Sequence, residues 1–430
     1  MKCGDAMRIR LGAIGVAAVF SFCCTACERP SNAQQTVIRF SWWGGDSRHR
    51  VTLQAVEQFM AEHPDIRVEC EYGAWAGWED ATATALYAGT EADVMQVNWN
   101  WLTSFDDDTT QFMNLSGMTA QLDLSQYDPA VLSLCTVEDE LRCIPVSLTG
   151  RVLFWNATVY ERAGIPVPNS FASLCEAGEA FRTTLGEDYY PLALGWYDRM
   201  LFLVYLLESK YGLDWTVDGS FQYTQSQFEE GLGMIHQMEQ QHVIPSLRTI
   251  AGGGADSFDK DENWIEGRYG GIYEWDSSAG KFKDSLSEQQ ELIVGDYFQD
   301  LGAYQGGFSK IALGFAISGN TKSPDACMRL IQYLLGDETA IRTLGTERGV
   351  PLHQNAYAIC ESAGLLGDIT AEANQRMENW VQFSVDPQFE QSTLRLVYED
   401  VFTGLSYGEY TVSQAAERLY AGIHAALRGE

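Results

Sequence analysis

Residues 36–101 read TVIRFSWWGGDSRHRVTLQAVEQFMAEHPDIRVECEYGAWAGWEDATATALYAGTEADVMQVNWNW, and three short runs inside this stretch carry strand signals. Thr36 to Ser41, Ile66 to Tyr72 and Asp93 to Val97 are bounded segments rich in β-branched or aromatic residues. Between the first two, Ser47 to His63 sets Val51, Ala55, Val56, Phe59 and Met60 on one helical face, with Pro64 just past the end. Between the second and third, Trp78 to Ala88 predicts a helix closed by Gly89. A βαβαβ run implies parallel strands joined by right-handed crossovers, so all three strand ends emerge on one edge. Each end carries a tryptophan pair: Trp42 with Trp43, Trp75 with Trp78, and Trp99 with Trp101. Six of the chain's twelve tryptophans therefore crowd the edge at which open α/β sheets bind ligands.

Outward from this unit, 430 residues give room for two or three domains with cores of their own. A hydrophobic fraction of 46% with 12% aromatics marks a globular chain. The net charge of −31 repels phosphate backbones and excludes nucleic acid as a partner. At the N-terminus, Lys2, Arg8 and Arg10 precede an apolar run, Leu11 to Phe22, too short to span a bilayer but suited to a signal-peptide core. Small residues then lead into Thr25-Ala26-Cys27, after which the chain turns polar. The pattern resembles a bacterial lipobox. It implies that residues 1–26 are removed, that Cys27 is lipidated, and that residues 27–35 tether the protein to the membrane. Cys24 stands where that pattern usually has an aliphatic residue, which keeps an ordinary cleaved signal peptide as the alternative. Either reading exports the protein.

Of the cysteines after Cys27, Cys135 and Cys143 flank a hairpin-like turn and form the one pair to test as a bridge, with buried free thiols as the alternative. No Cys/His cluster has metal-ligand spacing, and no cofactor is called for. Further along, Ile144 to Asn156 reads as one long strand interrupted by Gly150, able to pass from one domain to another. Helical patterns follow at Ser173–Leu185, Arg199–Tyr211 and Gln225–Gln240. Tyr269 to Trp275 reads as a strand and Asp276 to Leu286 as a helix. Lys310 to Ser318 is another strand, Ser323 to Leu335 a helix, and the chain beyond residue 355 is mostly helical.

In order, the segments FSWWGGDSRH, FMAEHPDIRVE, GTEADVMQVNWNW, RCIPVSLTGRVLFWNATVYERAG, GGIYEWDSSAGKF, FAISGNTKSPDACMRLIQYLL and TERGVPL resemble the extracellular solute-binding proteins, family 1, of ABC sugar importers. The opening segment most resembles the branch that takes up oligosaccharides. The resemblance implies an α/β, two-lobed, periplasmic-binding-protein-like fold, each lobe a mainly parallel sheet flanked by helices, with the ligand in the cleft between them. It implies lobe one at 36–148 plus 310–350 and lobe two at 150–308 plus 352–430, with crossings near Pro145–Arg151, Phe308–Leu313 and Gly349–His353. The partners implied are an oligosaccharide, the membrane subunits of an ABC permease, and the membrane itself through the N-terminal lipid, for a protein acting as a monomer.

A sugar offers an apolar C–H face and a rim of hydroxyls, matched by flat aromatic rings and by carboxylates, amides and Arg groups. Candidate ligand-binding residues on lobe one are Trp42, Trp43, Asp46 and Arg48, then Trp75 and Trp78 with Glu79, then Asn98, Trp99, Asn100 and Trp101. On lobe two the matching positions are Glu274, Trp275 and Asp276, with Trp196, Tyr197 and Asp198 after another short apolar strand. Arg151 and Arg348 lie at crossings, where they bridge lobes or bind ligand. Paired tryptophans cannot easily all face inward, so about one of each pair is expected to line the cleft. Asp46 or Ser47, and Asp276, are also natural N-caps. The overall acidity disfavours polyanionic glycans, while Arg48, Arg50, Arg151 and Arg348 leave room for one acidic sugar.

The rival readings are a secreted glycoside hydrolase and a surface glycan-binding protein that does not transport. Acidic pairs suited to hydrolysis are unavoidable among 59 acidic residues, and none stands above the rest. Gly404-Leu405-Ser406-Tyr407-Gly408 imitates a nucleophile elbow but falls in a helical region, with only His424 after it. Asp259, Asp261 and Asn263 open like a calcium loop, but Trp264 stands where glycine is required.

Overall fold

The computed structural model describes residues 35–105, 110–118, 122–217, 220–254, 257–385 and 387–428, so the signal segment, Cys27 and the tether up to Gln34 lie outside the described residues. Strands β1 (Thr36–Trp43), β2 (Ile66–Gly73) and β3 (Val94–Val97) form where the β-branched and aromatic runs predict them. β1 lies between the other two and pairs with both in parallel, Thr36 opposite Ile66 and Phe40 opposite Val94. The crossovers are α1 (Asp46–Glu62) and α2 (Trp78–Ala88). α1 buries Val51, Ala55, Val56 and Phe59 from the predicted face. It starts from Gly45 with no side-chain cap, so neither Asp46 nor Ser47 serves as one. α2 ends on Gly89 in the left-handed conformation, as the glycine predicts.

A two-residue hairpin joins β4 (Thr136–Val137) to β5 (Glu140–Leu141), its loop residues Glu138 and Asp139 both at positive φ. Cys135 and Cys143 flank it as buried free thiols, and the Cys143 thiol is pushed well up by its hydrogen bond with Cys135 and by burial. β6 (Ile144–Asn156) then runs unbroken through the Gly150 position. A second small hairpin, β7 (Thr216–Val217) and β8 (Ser220–Phe221), precedes β9 (Gly271–Trp275), β10 (Leu292–Val294), β11 (Phe308–Ile317) and β12 (Phe383–Ser384).

β6 changes partners half-way along. Its residues 144–150 lie antiparallel to β11, residues 151–155 antiparallel to β9, and residues 154–156 antiparallel to β10. β11 in turn continues onto β3 through Gly314–Ile317. The strand order is β10-β6-β11-β3-β1-β2, with β9 on β6 and β12 on β11. The expectation of mainly parallel sheets therefore holds for β1 to β3 and for the short pairing of β12 on β11, while every other pairing in this sheet is antiparallel. A strand that returns to β3 from the distant segment 308–317 arrives in the opposite sense, and the sheet is mixed. Gly150 sits at the change of partners because nothing larger fits. A Cβ there would stand 2.8 Å from the Phe308 carbonyl oxygen and 2.6 Å from Met377 Cγ.

Asp276 begins a one-turn 3-10 helix, Asp276–Ser278, before the short helix Ala279–Asp284, where the sequence predicts a single longer helix. The imitation nucleophile Ser406 lies within the helix Ser392–Tyr407. Its hydroxyl donates to Glu239 and accepts from the Leu247 amide, which is a packing role.

Candidate binding site

Strand alternation decides the fate of the first tryptophan pair. Along β1, Ile38, Phe40 and Trp42 face the core, and Ser41 and Trp43 face the other way. Trp42 is fully buried, stacked on Tyr72 with centroids 5.0 Å apart, and its indole N–H donates to His49 Nδ1 at 3.2 Å. Trp43 instead meets Trp75 and Trp101, at 5.1 and 5.3 Å, and Trp75 stacks on Trp101 at 6.0 Å with planes 11° apart. One residue from each strand-end loop thus builds a single aromatic block. Within it Trp101 is buried, its N–H donating to Glu79 Oε1 at 3.2 Å, and Trp75 is the member left open, 38% exposed. Burial pushes the Glu79 carboxyl up, opposed by Arg395 and by the Trp101 hydrogen bond. Trp78 turns back against Gly73 at the start of α2.

A second cluster gathers round Lys310 on β11. Its Nζ lies 2.6 Å from Glu390 Oε1, 4.6 Å from the centre of the Trp275 ring and 6.0 Å from that of Trp99. Glu390 also accepts from Tyr197 Oη at 3.0 Å and from Asn98 Nδ2 at 3.2 Å, so residues from four distant segments meet at one carboxylate. Arg151 covers Trp275 from its own side at 4.6 Å, and its Nη1 binds Asp198 at 2.8 Å and Glu274 at 3.1 Å. Burial opposes the Arg151 charge, but Glu274 and Asp198 outweigh it and raise the pKa. Arg395 lies over Tyr197 and Trp196, at 4.5 and 5.7 Å. Trp99 and Asn100 are both buried, and the Trp99 indole N–H and Asn100 Oδ1 have no hydrogen-bond partner. Aromatic faces interleaved with directed charges and unused polar atoms suit a ligand with apolar faces and a polar rim.

Residues 46–341, more than half of the chain, match the profile of the bacterial extracellular solute-binding proteins. The chain belongs to this family. It is a non-enzymatic family, so the hydrolase reading falls. Among solved structures, this solute-binding protein is similar to a periplasmic oligogalacturonide binding protein from Yersinia enterocolitica in complex with saturated digalacturonic acid. The two share 33% identity and a TM-score of 0.87, over 92% of this chain and 99% of that one. A periplasmic solute binding protein from Pectobacterium atrosepticum matches at 28% identity and a TM-score of 0.85, over 92% and 99% of the two chains. The acarbose-binding GacH receptor of Streptomyces glaucescens shares the fold, with a TM-score of 0.75 at 15% identity over 92% and 99%. A binding protein of Brucella abortus aligns at 25% identity over 136 residues, 32% of this chain and 33% of that one, so the alignment spans about a third of the curated relatives' length.

Arg348 is buried in this solute-binding protein, and Arg48 is half-buried. Arg48 Nε donates to the Glu347 carbonyl at 2.8 Å and Nη1 to the Trp43 carbonyl at 3.3 Å. Burial, against the pull of Glu347, pushes it down to about 10. Arg348 Nε donates to Gln96 Oε1 at 3.0 Å, and Gln96 Nε2 donates to the same Trp43 carbonyl at 3.2 Å. Burial, and then Arg48, push Arg348 well below the ordinary arginine value. Asp276 is fully buried and accepts from Thr149 Oγ1, from the Gly150 amide at 3.1 Å and from Asn374 Nδ2 at 2.9 Å. Its carboxylate therefore ties β6 to the helix Ile369–Glu378, with both oxygens engaged. Asp46 stands in the first turn of α1, where its charge suits the helix dipole.

Sequence reading missed Lys310, Glu390, Arg395 and Gln96. Lys310 carried one signal, a charge inside an otherwise apolar strand. Glu390 and Arg395 carried none, because their partners lie 80 or more residues away for Glu390 and across the chain for Arg395.

Proposed function

We propose that this protein is the extracytoplasmic receptor of an ABC importer that captures an oligosaccharide and delivers it to the permease. The observation that carries this reading is the meeting of Trp99 and Trp275 at Lys310, beside the aromatic block of Trp43, Trp75 and Trp101. Two aromatic faces contributed by segments 176 residues apart form the kind of enclosure that grips several sugar rings. The saccharide bound by the Yersinia relative supports the same ligand class.

In this reading lobe one comprises residues 36–148 and 310–350, and lobe two comprises residues 150–308 and 352–430. The switch of β6 from β11 to β9 at Gly150 supports the first crossing. The Asn98–Glu390 hydrogen bond then joins the two lobes across the cleft. A ligand touching both lobes binds the closed form more tightly and shifts the population toward it, which gives the permease a shape to recognise. Lipid on Cys27 holds the receptor at the outer face of the cytoplasmic membrane. The test is an oligosaccharide panel read by intrinsic tryptophan emission and confirmed by calorimetry. Binding of at least one oligosaccharide is expected; binding of amino acids or peptides in place of any saccharide overturns the ligand class.

A further inference from the structure

The fold encloses a guanidinium that it leaves unpaired. Arg348 is 5% exposed, and among the described residues neither of its terminal nitrogens has a hydrogen-bond partner; only Nε is used, by Gln96. One face lies over Phe315, 5.6 Å from the ring centre. Half-buried Arg48 acts on it as a second positive charge, so two guanidinium groups share the influence of the single carboxylate of Glu347, whose Oε2 already accepts from the Ser47 hydroxyl at 2.9 Å. Asp276, at the neighbouring crossing, is committed to Thr149, Gly150 and Asn374. A buried charge without a counterion is strongly unfavourable unless an anion arrives to pair with it.

We propose that Arg348, steadied by Gln96 and backed by Arg48, is a carboxylate subsite, and that the oligosaccharide this receptor takes carries a uronic acid. The inference rests on the saccharide-binding reading above. Two free nitrogens on one planar group are the fork that a carboxylate accepts with both oxygens. The fork is held in place. Gln96 ties it to the Trp43 carbonyl, and the Arg348 carbonyl accepts from the Ser147 hydroxyl. Gly349 follows at φ 89°, where a Cβ would come within 2.7 Å of Ser147 Oγ. Through Gln96 the fork is thus tied to the Trp43 end of β1. The attraction is local, since the chain as a whole carries −31 and repels anions at a distance.

The test titrates the protein calorimetrically with digalacturonic acid, with its dimethyl ester and with neutral oligosaccharides, in wild type, R348Q and R348K. Wild type is expected to prefer the acid over the ester by about tenfold or more, and R348Q to bring the two within about twofold. R348K, which keeps the charge and loses the fork, retains only part of the preference; it decides the matter if R348Q does not fold. Equal affinity of wild type for acid and ester, or an undiminished preference in either variant, overturns the subsite. Binding of neutral oligosaccharides but of neither galacturonide overturns the subsite and leaves the receptor reading standing. Binding of no saccharide overturns both.

Discussion

Replacing Lys310 by methionine breaks a buried ion pair from one side. Nζ and Glu390 Oε1 are 2.6 Å apart, with side-chain exposures of 7% and 5%. At that separation the attraction is about 6 kcal/mol in an effective dielectric of roughly 20, and removing two ions from water costs several kcal/mol each. The intact pair therefore lies close to break-even with a well-packed apolar pair. Loss of one partner is different. In K310M, Glu390 keeps Tyr197 and Asn98 as donors but has no bonded cation, and such a break costs about 3–5 kcal/mol. The double variant K310M/E390M should recover all but about 1 kcal/mol, because no charge is then stranded. Urea denaturation followed by tryptophan emission measures both, and Trp275 and Trp99 beside Lys310 make the signal local. The sign with pH follows. Burial opposes ionisation of Glu390, but Lys310, Arg395 and Tyr197 outweigh it and hold the carboxyl below its ordinary value of 4.5. Its contribution is therefore present above pH 4.5 and is lost as pH falls through the lower folded value. A loss below about 1 kcal/mol in K310M, or a double variant no more stable than the single, refutes the reasoning.

Two further outcomes separate platform from support. Trp75→Ala removes a ring already 38% exposed and should leave the denaturation midpoint nearly unchanged while weakening saccharide binding up to about tenfold; Trp101→Ala, fully buried, should cost about 3–5 kcal/mol of stability. His49 is held below its ordinary 6.5 by burial, with Arg48 and Arg348 adding to it and Asp46 opposing, and its Nδ1 accepts the Trp42 N–H. Its stabilising contribution is complete above pH 6.5 and fades as pH falls below it, so the melting temperature of wild type should drop more between pH 7.5 and 5.5 than that of His49→Gln.

The βαβαβ unit was legible because each element is decided within a few residues. The β-branched runs, the α1 stripe and Gly89 ask only for local geometry, and the strands and helices formed within two residues of their predicted bounds. The family was legible for a related reason, since its segments follow one another in order along the chain. Which member of each tryptophan pair opens outward was only half legible. The alternation that buries Trp42 depends on β1 running on to Trp43, two residues beyond the run that the β-branched pattern marked. The place of the Trp78 ring against Gly73 and the burial of Trp101 depend on what packs over them.

By itself, then, the sequence determined the local alphabet of this protein: parallel strands with aromatic ends, an exported chain, and a long strand through Gly150. Tertiary structure alone decided which charges matter. Glu390 meets Lys310 across 80 residues and Asn98 across 292, and Arg348 meets Gln96 across 252. Such pairings leave no periodic trace, because a carboxylate is placed by whichever strand the chain brings back to it. The same return explains Asp276, a natural helix cap in sequence that became the tie between β6 and a helix about 100 residues further on, once Thr149 and Asn374 closed round it.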